Sequence, residues 1–122
     1  MSALASHLVG IGYNPQQASF LGVSQADGLT AAGTTQGTAL LLPATINHFT
    51  TVAVGAAGAR LPPIAQVKHA YVLVANSNAT TLNLYPATGE EINQLGTNAP
   101  TTVTTNRSLL MFPVSSTRWV LA

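Results

Sequence analysis

The stretch "AYVLVANSNATTLNLYPATGEEINQLG", residues 70–96, decides the fold. The runs "AYVLVAN" (70–76) and "TTLNLYP" (80–86) are short and rich in β-branched and aliphatic residues, and the turn formers "NSNA" (76–79) link them, so the pair reads as a β-hairpin. "YVLV" (71–74) is apolar at every position, as is "LLMF" (109–112), and such strands need cover on both faces. One face can pack on an opposing sheet. The other must meet a helical arm or a second subunit, because a long apolar strand left open would aggregate.

"TALLLP" (38–43), "FTTVAVG" (49–55), "TTVTT" (101–105), "SLLMFPV" (108–114) and "TRWVLA" (117–122) are further short β-rich runs separated by turn residues. Ser115-Ser116 joins the last two as a second hairpin. Pro62 and Pro63 in "RLPP" forbid a central strand at that point. The expected fold is mainly β, an antiparallel β-sandwich or jelly-roll-like body over residues 37–122.

Residues 1–36 read as a helical arm and linker. Leu4, Leu8 and Ile11 share one face of a short helix, and Asn14 as N-cap, Pro15 at the first helical position, Gln17 at the third and Gly22 as a stop predict a second. "VSQADGLTAAGTTQG" (23–37) is small, polar and punctuated by Gly, which is linker composition. The Leu4, Leu8 and Ile11 face either clamps a partner or caps the subunit's own sandwich.

The chain has 122 residues, a formal charge of +1 and only 6% charged residues, against about 25% in an ordinary domain. So little charge gives weak repulsion between molecules, which suits a packed assembly better than a free monomer. No apolar run is long enough for a membrane span, and the start lacks the basic and apolar segments of a signal peptide. With no cysteine, thiolate metal sites and disulfides are excluded.

Chemistry has few candidates. The three acids are Asp27, Glu90 and Glu91. Adjacent residues in extended chain face opposite ways, so Glu90 and Glu91 cannot readily flank one bond, and they read as a solvated pair at a loop tip. His7, His48 and His69 lack close ligand spacing, which disfavours a metal site within one chain. "GVSQA" (22–26) resembles a nucleophile elbow at Ser24, but a helix rather than a strand is expected before it, so Ser24 reads as a turn or cap residue. Gly10-x-Gly12 lacks the third glycine and the βαβ setting of a dinucleotide loop. Arg60, Lys68, Arg107 and Arg118 are too few and too dispersed for a nucleic-acid groove. The connection from Pro86 to Pro100 is expected to fold back as a compact loop anchored by Ile92 and Leu95, and loops of that length in small domains usually serve function or interfaces.

The order "GARLPP" (58–63), "YVLVAN" (71–76), "LYPATGEEINQLG" (84–96) and "TRWVL" (117–121) resembles small tailed-bacteriophage virion proteins. In these a strand of type V-x-V-Y-P leads to G-x-x-I-N, matched here by Leu82, Leu84, Tyr85, Pro86, Gly89, Ile92 and Asn93. The resemblance implies a non-enzymatic structural protein, a capsid decoration or cement protein with a β-sandwich body. It would be trimeric, made in the host cytoplasm and placed on the virion surface against the major capsid protein, with no cofactor, metal, nucleic acid or membrane. Leu4, Leu8, Ile11, Tyr85, Ile92 and Leu95 are the expected partner-contacting residues. The alternative is a glycan-binding or adaptor module of a tail fibre or spike, with Tyr85 and Trp119 as the stacking aromatics.

Overall fold

The computed structural model describes residues 23–53, 57–67 and 70–122. The strands are β1 (Gln25–Thr30), β2 (Leu40–Leu41), β3 (Ile46–Thr51), β4 (Gly58–Arg60), β5 (Val72–Asn76), β6 (Leu82–Tyr85), β7 (Glu91–Ile92), β8 (Thr101–Val103), β9 (Arg107–Pro113) and β10 (Arg118–Leu121), with one 3-10 turn at Ile64–Gln66. The expected helical arm falls on residues 1–22, outside the described residues.

Two sheets face each other, one ordered β1-β3-β5-β9-β10-β7 and the other β2-β4-β6-β8. Up to β6 the chain alternates between them, and strands of successive coils pair in parallel: Gln25 lies beside Ile46, which lies beside Leu73. In the smaller sheet Leu40 lies beside Ala59, which lies beside Leu84. This is solenoid-like stacking in mixed sheets. The mainly β expectation stands; the antiparallel jelly roll does not.

The correction has a physical cause. Parallel neighbours cannot be joined by a tight turn and need a crossover, usually a helix. Here the crossover from β3 to β5 passes through β4 in the opposite sheet. The predicted hairpin at 76–79 is therefore a corner: β5 and β6 lie in different sheets. Asn76 builds that corner, its side-chain amide donating to the Thr80 and Val103 carbonyls at 2.9 Å each while its Oδ1 accepts from Asn78 N at 2.9 Å.

After β6 the chain reverses. β8 pairs antiparallel with β6, β9 with β5, and β10 with β9 through the Ser115-Ser116 hairpin, as expected for that turn. β7 pairs in parallel with the outer side of β10. The predicted linker at 23–37 contains β1, which joins β3 despite its Asp-Gly turn signal; the ladder breaks between Ala26 and Leu29, a bulge that accommodates Gly28 at φ 70°.

The two sheets enclose one core. Phe49, Val72, Val74, Met111 and Trp119 from the larger sheet meet Ala59, Leu61, Leu82, Leu84 and Val103. Full burial of an aliphatic or aromatic side chain contributes about 1.5–3 kcal/mol, so this layer supplies the main drive to fold. Within it Asn47 is wholly buried, and its amide is satisfied by the Ala44 amide and carbonyl and by the Leu73 carbonyl.

Candidate functional site

Because side chains alternate along a strand, placing Phe49, Val72, Val74, Met111 and Trp119 in the core turns their neighbours to the opposite face of the larger sheet. That face carries Ile46, Leu73 and Leu110 side by side, since Ile46 registers with Leu73 and Leu73 with Leu110. Phe112 and Val120 form the adjacent pair. All five are only half-buried. The two-sided apolarity of "YVLV" and "LLMF" thus resolves into one row in the core and one row on the outer face.

The glutamates are the largest departure from expectation. Glu90 is buried: Oε1 accepts the indole N–H of Trp119 at 3.1 Å and Oε2 accepts the Ile64 backbone N–H at 3.0 Å. Glu91 is half-buried, with one carboxylate oxygen accepting from Arg118 Nε at 2.9 Å and Nη2 at 2.5 Å. Neither is a solvated loop tip. They do face different ways, as extended geometry requires, one into the core and the other across the β7–β10 ladder.

The loop after Pro86 is shaped by left-handed residues, Gly89 at φ 84°, Asn93 at 52°, Gly96 at 108° and Asn98 at 65°. Asn93 also bonds β10 twice, its N–H donating to the Trp119 carbonyl at 2.7 Å and its Oδ1 accepting from Leu121 N at 3.1 Å. Asn98 Oδ1 accepts from Gly89 N at 2.8 Å and from Gln36 Nε2 at 3.1 Å, tying the loop to the β1–β2 connection.

Of the expected contact residues, Leu4, Leu8 and Ile11 lie outside the described residues. Tyr85 is half-buried on β6, its hydroxyl donating to the Thr34 carbonyl at 3.2 Å. Ile92 is wholly within the core, whereas Leu95 is 51% exposed, so only Ile92 anchors the loop. Trp119 is fully buried and cannot stack on a sugar. Among the described residues, Ile92 and Trp119 are buried, so neither shares a surface with Tyr85 or Leu95.

A second cluster escaped the sequence reading. His48 on β3 reaches Asp27 Oδ1 through Nδ1 at 2.5 Å and Ser77 Oγ through Nε2 at 2.5 Å. Asp27 Oδ1 also accepts the Gly28 N–H at 2.8 Å. The hydrogen bond from His48, then that from Gly28, holds the Asp27 carboxyl below its ordinary value. Ser24 lies elsewhere, accepting from Thr45 N at 3.0 Å as a turn residue. Among the described residues no group of three or more His, Asp or Glu side chains could hold a metal ion.

No family model, curated protein or solved structure matches this chain. No helix among the described residues is long and apolar enough to cross a membrane.

Proposed function

We propose that the chain is a non-enzymatic structural protein of a tailed-phage virion, a decoration or cement protein that self-associates as a homotrimer and binds the major capsid protein on the head surface. The observation that carries this reading is the apolar outer face of the larger sheet, with Ile46, Leu73 and Leu110 in one row and Phe112 and Val120 beside it. A half-buried apolar row of this kind suits packing against another apolar surface.

The near absence of charge supports the same reading. Joining surfaces built of hydroxyls, amides and aliphatic groups desolvates few ions, so the association depends little on salt. With four Lys and Arg against three acids, the chain has little to offer a nucleic-acid backbone or an anionic membrane.

Light scattering on the purified protein tests self-association. A trimer mass insensitive to salt is expected, falling to a folded monomer in Leu73→Asp and Leu110→Asp. A wild-type monomer would sink this part. Cosedimentation with tailed-phage heads stripped of their outer proteins tests the other part, and failure to bind them would remove the capsid partner.

A further inference from the structure

Asp27, His48 and Ser77 come from three consecutive parallel strands or their immediate ends, so the coil stacking itself sets them side by side on the sheet surface. A carboxylate only accepts, so the proton between Asp27 and His48 belongs to Nδ1. In the neutral imidazole Nε2 is then a lone pair, and at 2.5 Å it accepts the Ser77 hydroxyl proton. This is the arrangement of nucleophile, general base and orienting acid that activates serine, and it is recognised by geometry rather than by position in the chain. Ser77 is exposed, so an incoming group can reach Oγ.

The site also lacks something. The Ser77 N–H donates to the Phe49 carbonyl at 3.0 Å and the Asn78 N–H to Asn76 Oδ1 at 2.9 Å. Both of these amides are engaged, so neither is free to stabilise charge developing on a carbonyl oxygen. Asp27 is itself exposed, where water competes for its carboxylate. These features favour capture of activated acyl or phosphonyl groups over turnover of amides.

We propose that Ser77 is an activated nucleophile, with His48 as its general base and Asp27 orienting His48, and that it takes acyl groups from activated esters. The Oγ–acyl bond forms as the ester C–O bond breaks, the hydroxyl proton passes to His48 Nε2, and the leaving alkoxide departs with that proton as the alcohol. The product is an ester on Ser77, compatible with a protein that has no catalytic turnover.

The test is a fluorophosphonate probe on the full chain, where an Oγ–P bond forms, the P–F bond breaks and fluoride leaves, followed by peptide mapping. Ser108 and Ser116 are exposed and, among the described residues, hydrogen-bond no histidine, so they serve as internal references. Ser77 should label at least about 100-fold faster than either, the usual scale of general-base assistance. His48→Gln should bring Ser77 down to the reference rate, and Asp27→Asn should slow it by about 10-fold or more by releasing the imidazole. Ser77 labelling no faster than Ser116 in the wild-type protein, which needs no variant to fold, would overturn the proposal. So would labelling unchanged in a folded His48→Gln variant.

Discussion

The carboxylate of Glu90 bridges Trp119 and Ile64, accepting the indole N–H at 3.1 Å through one oxygen and the Ile64 backbone N–H at 3.0 Å through the other. Two donors from distant parts of the chain therefore depend on one acid. Replacing it by glutamine leaves a single accepting oxygen and turns an NH2 group toward the second donor.

Glu90→Gln is expected to destabilise by about 1–3 kcal/mol, the cost of leaving a buried donor unpaired. Glu91→Gln, which weakens a partly exposed ion pair with Arg118, should cost no more than about 1 kcal/mol. Urea midpoints of the two variants measure the contrast, and equal losses would show that Glu90 is not the node described.

Gly28 and Gly33 both have left-handed backbone, at φ 70° and 75°, but differ in space. A Cβ on Gly28 meets nothing within 4 Å, whereas one on Gly33 would lie 2.3 Å from the Thr38 carbonyl oxygen. Gly28→Ala should cost about 1–2 kcal/mol from conformation alone. Gly33→Ala should cost distinctly more, because backbone must move, and thermal melts should separate them clearly.

The acid titration of stability should carry the mark of Asp27. Its folded pKa lies below the ordinary 3.8, so its contribution is complete above that value and is lost as pH falls through the depressed one. Denaturant midpoints followed below pH 3.8 should fall less steeply in Asp27→Asn than in wild type. Equal slopes would show that His48 does not hold this carboxylate in solution.

Asn76 satisfies two carbonyls and one amide at the corner between the sheets. Asn76→Ala should destabilise by about 1–3 kcal/mol for each buried group it strands. Hydrogen exchange should show the loss first at Asn78 N–H, whose acceptor is the Asn76 side chain.

Much of the β content is legible in the chain because apolar runs such as 71–74 and 109–112 follow strand composition closely. The pairing direction is not. "NSNA" has the chemistry of a hairpin, and only the opposing sheet makes it a corner. A weak signal does exist: Leu42-Pro43 and Leu61-Pro62 hold equivalent places in successive coils, their leucines donating to the Arg60 and Tyr85 carbonyls of the next strand. Repetition of Leu-Pro at strand ends is the trace of stacking. Gln25–Thr30 is hidden because an edge strand with a bulge can be polar and still hold its ladder. Glu90 is illegible for a different reason: its partners lie at Ile64 and Trp119, and nothing local to "GEE" announces them. The Asp27, His48 and Ser77 alignment likewise depends on register between coils, which single-strand patterns do not carry.

The reversal after β6 makes the two ends of the stack different. β8 and β9 pair antiparallel with β6 and β5, while among the described residues β1 and β2 are the outermost strands at the other end of the parallel coils. In such a stack each layer rests only on its neighbours. Tandem duplication of the segment carrying β3 and β4 would therefore leave the β5–β9 and β6–β8 ladders untouched. Lineages of this protein should therefore change length by whole layers among the parallel coils, while the antiparallel strands that follow β6 stay the same.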